Sequence, residues 1–378
     1  MVSIVPRYVP LVREALVVVN WISNHRMAHD YYLRLAETGV RFPIGTDLVL
    51  NEKDDPEAIR NDGKRLGAVM AEAAERYGAP VALPLMDLTL EKADVLRAFG
   101  IPEDQADAYH FEEPPDEQRI AAYAEALDAP FSRRNQAHID SIRYIRESTK
   151  LVPAGMAIGP FSLMTKLMAD PITAVAMAGK GLNEDATVLL AVRCLALAEA
   201  AVRRSLRAQM AAGASAVLVC EPAANVVYLS PRQVNANPAL LEQFVLGPDT
   251  RMKQQLDAAG VDLIFHDCGE LSTAMVEQFA KRLDPVILSL GSSRRLWEDA
   301  AVVPKHIVLY GNLPTKNFYS DAVVSEEDVA RLSGDLAARM REVGHPFILG
   351  SECDVLHVPD AAATIRRKVD VMLASGRE

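Results

Sequence analysis

Short apolar runs alternate with longer amphipathic segments along most of the chain. Eight of these runs are continuous and rich in aliphatic, often β-branched residues, which predicts strands that are buried on both faces. They occupy residues 15–20, 80–90, 154–160, 216–222, 261–265, 285–291, 306–312 and 346–351. The segments between them carry apolar residues at helical spacing, and several end at glycine, so they predict helices.

Two helix starts carry specific signals. Ser325 is followed three residues later by Asp328, a capping-box pattern that predicts a helix running to Val343. Ser230 and Pro231 predict a second start, because serine is a good N-cap and proline fits the first helical position. Helices placed regularly between buried strands indicate strand–helix units.

Eight such units predict an α/β fold, a single (β/α)8 TIM barrel spanning residues 1–378 with an N-terminal helical extension. The stretch 100–132 is rich in proline, aspartate and glutamate. We interpret it as an inserted acidic surface loop or lid that leads into one helix, and not as a domain boundary.

Composition narrows the classes of partner. The chain has 378 residues, with 40 basic and 51 acidic side chains and a formal net charge of −11, and half of its residues are hydrophobic. Such acidity disfavours nucleic acid and anionic membranes, and favours a small molecule or a protein partner. Neither a membrane-spanning apolar run nor a signal-peptide pattern is found.

The cysteines indicate the compartment. Four of them, too few and too scattered for a disulfide scaffold, occur at Cys194, Cys220, Cys268 and Cys353. We therefore expect a cytoplasmic protein, in which a thiolate can hold a metal.

A candidate metal site follows the strand at 261–265. His266 and Cys268 are two residues apart, so their side chains point to the same side of the strand end. Cys353 follows the last predicted strand, and a barrel brings the carboxyl ends of its strands together at one mouth. One imidazole and two thiolates suit Zn²⁺ best and leave a position open, as catalytic zinc sites do. The fourth zinc ligand is not evident.

Other polar side chains lie at or just after strand ends. Glu221 is a fourth zinc ligand, a hydrogen-bonding partner of a ligand, a proton-transferring acid or an acceptor for a loop amide. Asp87 either contacts substrate or has a structural role. Asn225 and Tyr228 are substrate contacts or loop-forming residues, and Asn312 is a substrate contact or a turn residue.

Several motifs resemble the uroporphyrinogen decarboxylase superfamily, and most of all its zinc-dependent, corrinoid-linked methyltransferases, such as the methylcobalamin:coenzyme M enzymes. The matching stretches are Gly159-Pro-Phe-Ser-Leu163, Glu221-Pro-Ala-Ala-Asn225 with Ser230-Pro231, Ala259 to Gly269 containing His266-Asp-Cys268, Gly311-Asn-Leu313 and Gly350-Ser-Glu-Cys353.

The resemblance implies that His266, Cys268 and Cys353 bind zinc. It further implies that a methyl group moves between a corrinoid such as cobalamin, normally carried by a separate corrinoid protein, and a thiol or methylated small molecule. It is compatible with a homodimer. The arginine-rich N-terminal motif of the decarboxylases has no counterpart between Met1 and Gly39.

Two other functions are weighed against methyl transfer. One is a metal-free, decarboxylase-like lyase that uses Asp87, which would keep its activity after chelation. The other is a barrel without catalytic activity that binds a corrinoid or tetrapyrrole as a subunit of a larger transferase.

Overall fold

Seven parallel strands form one sheet in sequence order. The computed structural model describes residues 29–102, 105–126 and 129–375. The strands are β1 (Val81–Ala82), β2 (Val152–Ile158), β3 (Ala216–Cys220), β4 (Asp262–Asp267), β5 (Ile287–Leu290), β6 (Val308–Leu313) and β7 (Phe347–Ser351). The predicted strand at 15–20 lies outside the described residues, and each of the other seven predictions corresponds to one observed strand.

The strands are buried because helices cover the outside of the sheet. Every residue of β2 to β6 is buried. This burial explains the continuous apolar runs, since a strand with one solvated face would alternate apolar and polar residues. The prediction of a TIM-barrel architecture is confirmed.

A short extended segment at 41–44 fills the position between β7 and β1. Ile44 forms a parallel bridge with Asp354, just past the end of β7. On the other side, the Thr46 hydroxyl donates a hydrogen bond of 2.7 Å to the carbonyl of Leu83, which follows β1. The segment therefore links the two ends of the sheet.

Helices precede the first strand and separate the others. They are α1 (His29–Glu37), α2 (Thr46–Leu50), α3 (Pro56–Arg60), α4 (Gly63–Tyr77), α5 (Leu90–Ala98), α6 (Glu117–Glu125), α7 (Arg133–Ser148), α8 (Pro160–Leu167), α9 (Pro171–Gly179), α10 (Ala186–Ala211), α11 (Pro231–Ala236), α12 (Ala239–Leu241), α13 (Gly247–Ala258), α14 (Thr273–Leu283), α15 (Leu296–Asp299), α16 (Glu326–Val343) and α17 (Ala362–Ala374). A π-helical segment, Glu242–Leu246, joins α12 to α13. Within the described ranges, no helix combines the length and the apolar character needed to cross a bilayer.

The two predicted helix starts are confirmed, with one difference. Ser325 caps α16 and forms a complete capping box with Asp328. Helix α11 begins at Pro231, but the side chain of Ser230 makes no capping hydrogen bond. Proline at the first position therefore marks this start without help from the serine hydroxyl.

The prediction of a strand across 80–90 was too long. Regular pairing is limited to β1, Val81–Ala82. Pro84 has no amide hydrogen to donate, so the ladder cannot continue through it. Asp87 consequently lies in a loop ahead of α5 and does not end a strand.

The described part of the 100–132 stretch packs against the outside of the barrel. Its one regular helix is α6, as expected from a loop that leads into a helix. Arg204 of α10 lies over the ring of Phe131 at 3.9 Å and over that of Tyr123 at 5.6 Å. Arg204 also donates a hydrogen bond to the carbonyl of Ala126. These contacts fasten the stretch to α10 as a surface layer.

Candidate metal centre

Three metal-competent side chains from two distant parts of the chain converge at the C-terminal mouth of the barrel. One ligand atom from each of His266, Cys268 and Cys353 lies within 4.8 Å of the other two. All four cysteines of the chain are free thiols, and Cys194 and Cys220 are buried away as core residues. Two sulfurs and one imidazole nitrogen form a donor set that fits Zn²⁺.

The end of β4 fixes the first two of these side chains. His266 pairs with Ser289 of β5 in the parallel ladder, so its ring is held over the barrel axis. Asp267 points the other way and accepts a hydrogen bond of 2.8 Å from the Gly269 amide, which shapes the turn that carries Cys268. A Cβ at Gly291 would lie 2.7 Å from the Cys268 carbonyl oxygen, so only glycine leaves room for this turn.

The loop after β7 fixes the third metal-competent side chain, that of Cys353. The bridge between Ile44 and Asp354 holds the residue next to Cys353. On the other side, Glu352 accepts hydrogen bonds from the hydroxyl of Ser292 at 2.5 Å and from the amide of Lys316 at 3.3 Å. One carboxylate thus ties together the loops after β5, β6 and β7.

His266 is oriented as a metal-binding imidazole would be. Its Nδ1 lies 2.8 Å from the hydroxyl oxygen of Ser289. Its Nε2 is buried and has no hydrogen-bond partner among the residues that the structure describes. A ring that is anchored through one nitrogen offers the other as a ligand in a fixed direction. The unpaired Nε2 is the observation that most favours a metal here.

The electrostatics of the site favour a thiolate. A hydrogen bond from the Cys353 thiol is the largest influence on Cys268 and lowers its pKa, and His266 and Lys316 lower it further while burial opposes them. The pKa of Cys353 is raised, because its proton is held by the Cys268 thiolate. Burial alone would lower the pKa of Lys316, but the two cysteines and Glu352 outweigh it and leave that pKa raised. The metal-free site thus holds one negative sulfur beside a lysine ammonium.

Replacing Lys316 by methionine should raise the pKa of Cys268 in the metal-free protein. Removing a nearby positive charge destabilises the thiolate, so the pH midpoint of alkylation by iodoacetamide should rise by about 0.5–1 unit. The pKa of Cys268 is lowered to about 3, so the rate of its labelling, followed by peptide mass spectrometry from about pH 2 to pH 7, measures this midpoint. Lys180→Met, at an exposed lysine that follows α9, is the control. An unchanged or lower midpoint in Lys316→Met would contradict this electrostatic description.

Glu221 lies behind the metal-competent cluster and holds the start of α8. Its carboxylate accepts hydrogen bonds of 2.8 Å from the amides of Phe161 and Ser162, and one of 2.6 Å from the Ser162 hydroxyl. Burial raises the pKa of Glu221 to about 7, although these hydrogen bonds lower it. Of the roles predicted for Glu221, acceptance from a loop amide comes nearest to these contacts, but the amides belong to the first turn of α8.

Asp87 is held in an ion pair near the start of α5. One carboxylate oxygen accepts hydrogen bonds from the amide and hydroxyl of Thr89, at 3.1 and 2.5 Å. The other oxygen lies 3.1 Å from a guanidinium nitrogen of Arg134. One oxygen thus accepts two hydrogen bonds, whereas the other has the ion pair with Arg134 but no hydrogen bond among the described residues. A substrate contact by Asp87 stays a prediction.

Of the three residues predicted to contact substrate, Asn225 and Tyr228 lie in the loop after β3, and Asn312 lies near the end of β6. The amide of Asn225 donates to the carbonyl of Pro222, and its oxygen accepts from the amide of Val227. The amide of Asn312 donates to two carbonyls, those of Gly291 and Arg294. The ring of Tyr228 is half-buried and meets that of Phe161 edge-on at 6.0 Å. These contacts form loop structure, and contact with substrate stays a prediction for all three.

Two contributors to the site carried no sequence signal, and a third could only be located. Lys316 lies in a short 3-10 turn after β6. Met86, whose sulfur lies 3.9 Å from that of Cys353, belongs to the stretch that the apolar pattern predicts as a strand. Ser289 could be located near the end of the predicted strand 285–291, but its contact with His266 could not be predicted.

Comparison with known proteins agrees with this architecture. The family model described as uroporphyrinogen decarboxylase (URO-D) matches residues 51–365. The chain belongs to the uroporphyrinogen decarboxylase family. The sequence itself matches no curated protein significantly.

A solved structure is similar to this family member over nearly the whole chain. A methyltransferase from Methanosarcina mazei is similar with a TM-score of 0.64 and 15% sequence identity, over 91% of this chain and 98% of that one. At this identity the likeness shows a shared fold. The predicted superfamily resemblance is confirmed by the family match.

Proposed function

We propose that this member of the uroporphyrinogen decarboxylase family is a zinc-dependent methyltransferase. It moves a methyl group between a corrinoid such as cobalamin, carried by a separate protein, and a thiol or a methylated small molecule. The observation that carries the proposal is the convergence of His266, Cys268 and Cys353, with the Nε2 of His266 buried and unpaired among the described residues. The similar protein from Methanosarcina mazei is a methyltransferase, which supports the same reaction class.

His266, Cys268 and Cys353 hold the ion in this proposal, and each has a fixed support. The hydroxyl oxygen of Ser289 lies 2.8 Å from Nδ1 of His266 and accepts a hydrogen bond from it in this proposal, which leaves Nε2 as the ligand atom. Glu352 anchors the loop that carries Cys353. Zinc bound there lowers the pKa of a substrate thiol, so that the nucleophilic thiolate exists at neutral pH.

Lys316 balances the negative charge that gathers at the site. Two cysteine thiolates neutralise a divalent ion, and a third thiolate from the substrate leaves one excess negative charge. The ammonium of Lys316, which already interacts with both cysteines, offsets that charge. His266 is buried and the two cysteines are partly buried, so this interaction is stronger than it would be in bulk water, although solvent around the exposed Lys316 side chain screens it.

The loops around the mouth offer an apolar surface for a partner. Val227, Tyr319 and Leu356 follow β3, β6 and β7, and 57%, 48% and 55% of their respective surfaces are exposed. Large apolar side chains exposed together on one face commonly mark a binding surface. A corrinoid protein that presents its flat ring would cover them and exclude water from the methyl group.

Methyl transfer to a thiol is the direct test. The zinc-loaded chain is mixed with methylcobalamin and a panel of thiols, and the loss of the methylcobalamin spectrum is followed. The reverse direction uses cob(I)alamin with methylated compounds. We expect turnover that chelation abolishes and added zinc restores.

The same assay separates the two rival functions. Activity that survives chelation but is lost in Asp87→Asn would support the metal-free lyase instead. A chain that binds a corrinoid yet transfers no methyl group, alone or with a partner protein, would support a subunit without catalytic activity. The ion pair of Asp87 with Arg134 leaves that carboxylate engaged, which does not favour the lyase.

A further inference from the structure

A second group of metal-competent side chains lies at the opposite end of the barrel. His29 begins α1, Asp284 lies between α14 and β5, and His306 lies just before β6. One ligand atom from each lies within 4.8 Å of the other two. Residues that precede barrel strands lie at the N-terminal face, where side chains serve stability and not the main reaction.

His29 uses one ring nitrogen as a hydrogen-bond donor and leaves the other, Nε2, without a hydrogen bond among the described residues. Its Nδ1 lies 2.8 Å from the carbonyl oxygen of His306, and a carbonyl can only accept, so Nδ1 carries the proton. When the ring carries no second proton, Nε2 offers a lone pair. This atom is shielded from solvent and makes no hydrogen bond to any residue in the described part of the chain.

A carboxylate faces that lone pair. The Nε2 of His29 lies 3.6 Å from one oxygen of Asp284, and the Nε2 of His306 lies 2.6 Å from the other. In the neutral ring these two acceptors repel each other unless a metal ion, or a proton on Nε2, lies between them. Ligands of tetrahedral Zn²⁺ with bonds of about 2.0–2.1 Å are separated by about 3.3–3.4 Å, close to the gap between His29 and Asp284.

The backbone presents the Asp284 carboxylate in an unusual way. Asp284 is the residue after α14 and has a φ of 44°, the left-handed conformation that glycine or asparagine normally adopts at a helix end. Side chains of Asp284 and His306 are 52% and 49% exposed, which leaves room for water to complete a coordination shell.

We propose that His29, Asp284 and His306 form a second site, which binds a divalent transition-metal ion such as Zn²⁺. Two imidazole nitrogens and one carboxylate oxygen suit Zn²⁺ and Co²⁺. His29 belongs to α1, whereas the other two residues belong to loops beneath β5 and β6. A bound ion therefore clamps the start of α1 to the N-terminal face of the barrel. A protonated His29 paired with Asp284 needs no metal and is the alternative that the experiment must separate.

Cobalt titration distinguishes this site from the cysteine-containing one. The metal-free full-length chain is titrated with Co²⁺. Calorimetry measures the number of ions bound per chain, and absorption spectroscopy detects thiolate-to-cobalt charge transfer. We expect two equivalents to bind, only one of which produces charge transfer, because the second site contains no sulfur. If the cysteines bind no metal, one equivalent should still titrate without a charge-transfer band.

Asp284→Asn is the decisive variant, because asparagine keeps the shape and tolerates the left-handed backbone. We expect it to keep any charge-transfer band and to bind the other equivalent at least about tenfold more weakly. His110→Gln, at an exposed histidine elsewhere, should behave like the wild type. Unchanged affinity for the sulfur-free equivalent in Asp284→Asn, or its absence from the wild type, would overturn the proposal.

Hydrogen exchange tests the clamp independently of affinity. Zn²⁺ should slow amide exchange in the peptide that covers α1 of the wild type and leave it unchanged in Asp284→Asn, because the ion ties that helix to the barrel. Equal exchange in the wild type with and without Zn²⁺ would exclude the clamp.

Discussion

Replacing Cys353 by serine should reduce tightly bound zinc from about one ion per chain to less than about 0.2. A serine hydroxyl keeps its proton at neutral pH and is a poor ligand for Zn²⁺, so the site would be left with only His266 and Cys268. Methyl transfer should fall by at least about 100-fold, since it depends on the same ion. Metal analysis by mass spectrometry after dialysis measures the first effect, and methylcobalamin consumption measures the second.

Two controls make the loss of zinc specific to the mouth of the barrel. The count is made in an Asp284→Asn background, so that zinc at the N-terminal face does not contribute. Cys194→Ala removes a cysteine that burial keeps as a thiol by raising its pKa to about 12, and this variant should retain its zinc. Full zinc occupancy in Cys353→Ser would contradict the ligand assignment.

Replacing Gly159 by alanine should destabilise the protein by about 3–5 kcal/mol. A Cβ at this position would lie 2.0 Å from the carboxyl carbon of Glu221, deep inside the barrel. Either Glu221 gives up its hydrogen bonds to Phe161 and Ser162, or β2 moves away from β3. Denaturant unfolding followed by circular dichroism measures the loss, which in the extreme case is insolubility.

Gly334→Ala is the matched control for this substitution. Gly334 lies in α16, and no atom lies within 4 Å of the place where its Cβ would be. Alanine there should be neutral or stabilise the protein by about 0.5–1 kcal/mol, because it favours the helix. If Gly159→Ala were as stable as Gly334→Ala, Glu221 would not fill the space that the structure assigns to it.

The architecture could be predicted because buried parallel strands leave a simple trace in the sequence. The runs that became β2 to β7 are mostly apolar, since helices cover their outer face. The run at 80–90 predicted too long a strand, because most of its apolar residues are buried but only Val81–Ala82 pair with a neighbouring strand. The segment at 41–44 could not be predicted from the sequence, because four residues interrupted by Pro43 are too few to show a periodic pattern. In the structure this segment joins the two ends of the sheet.

For the candidate site as well, some residues could be predicted from the sequence and others could not. His266, Cys268 and Cys353 could be proposed because a barrel fixes where strand ends meet, and the structure brings the three together. The supports of this cluster could not be proposed, because Ser289 acts through a contact between neighbouring strands and Lys316 acts from the turn after β6. Glu221 could be located at a strand end, but its partners in α8 were visible only in three dimensions.

X-ray absorption at the zinc edge tests the central claim most directly. In the Asp284→Asn background, we expect two sulfur neighbours at about 2.3 Å and one imidazole nitrogen at about 2.0–2.1 Å, with a third sulfur appearing when the acceptor is a thiol. A zinc ion surrounded only by nitrogen and oxygen, or a chain that binds no zinc at all, would contradict the claim.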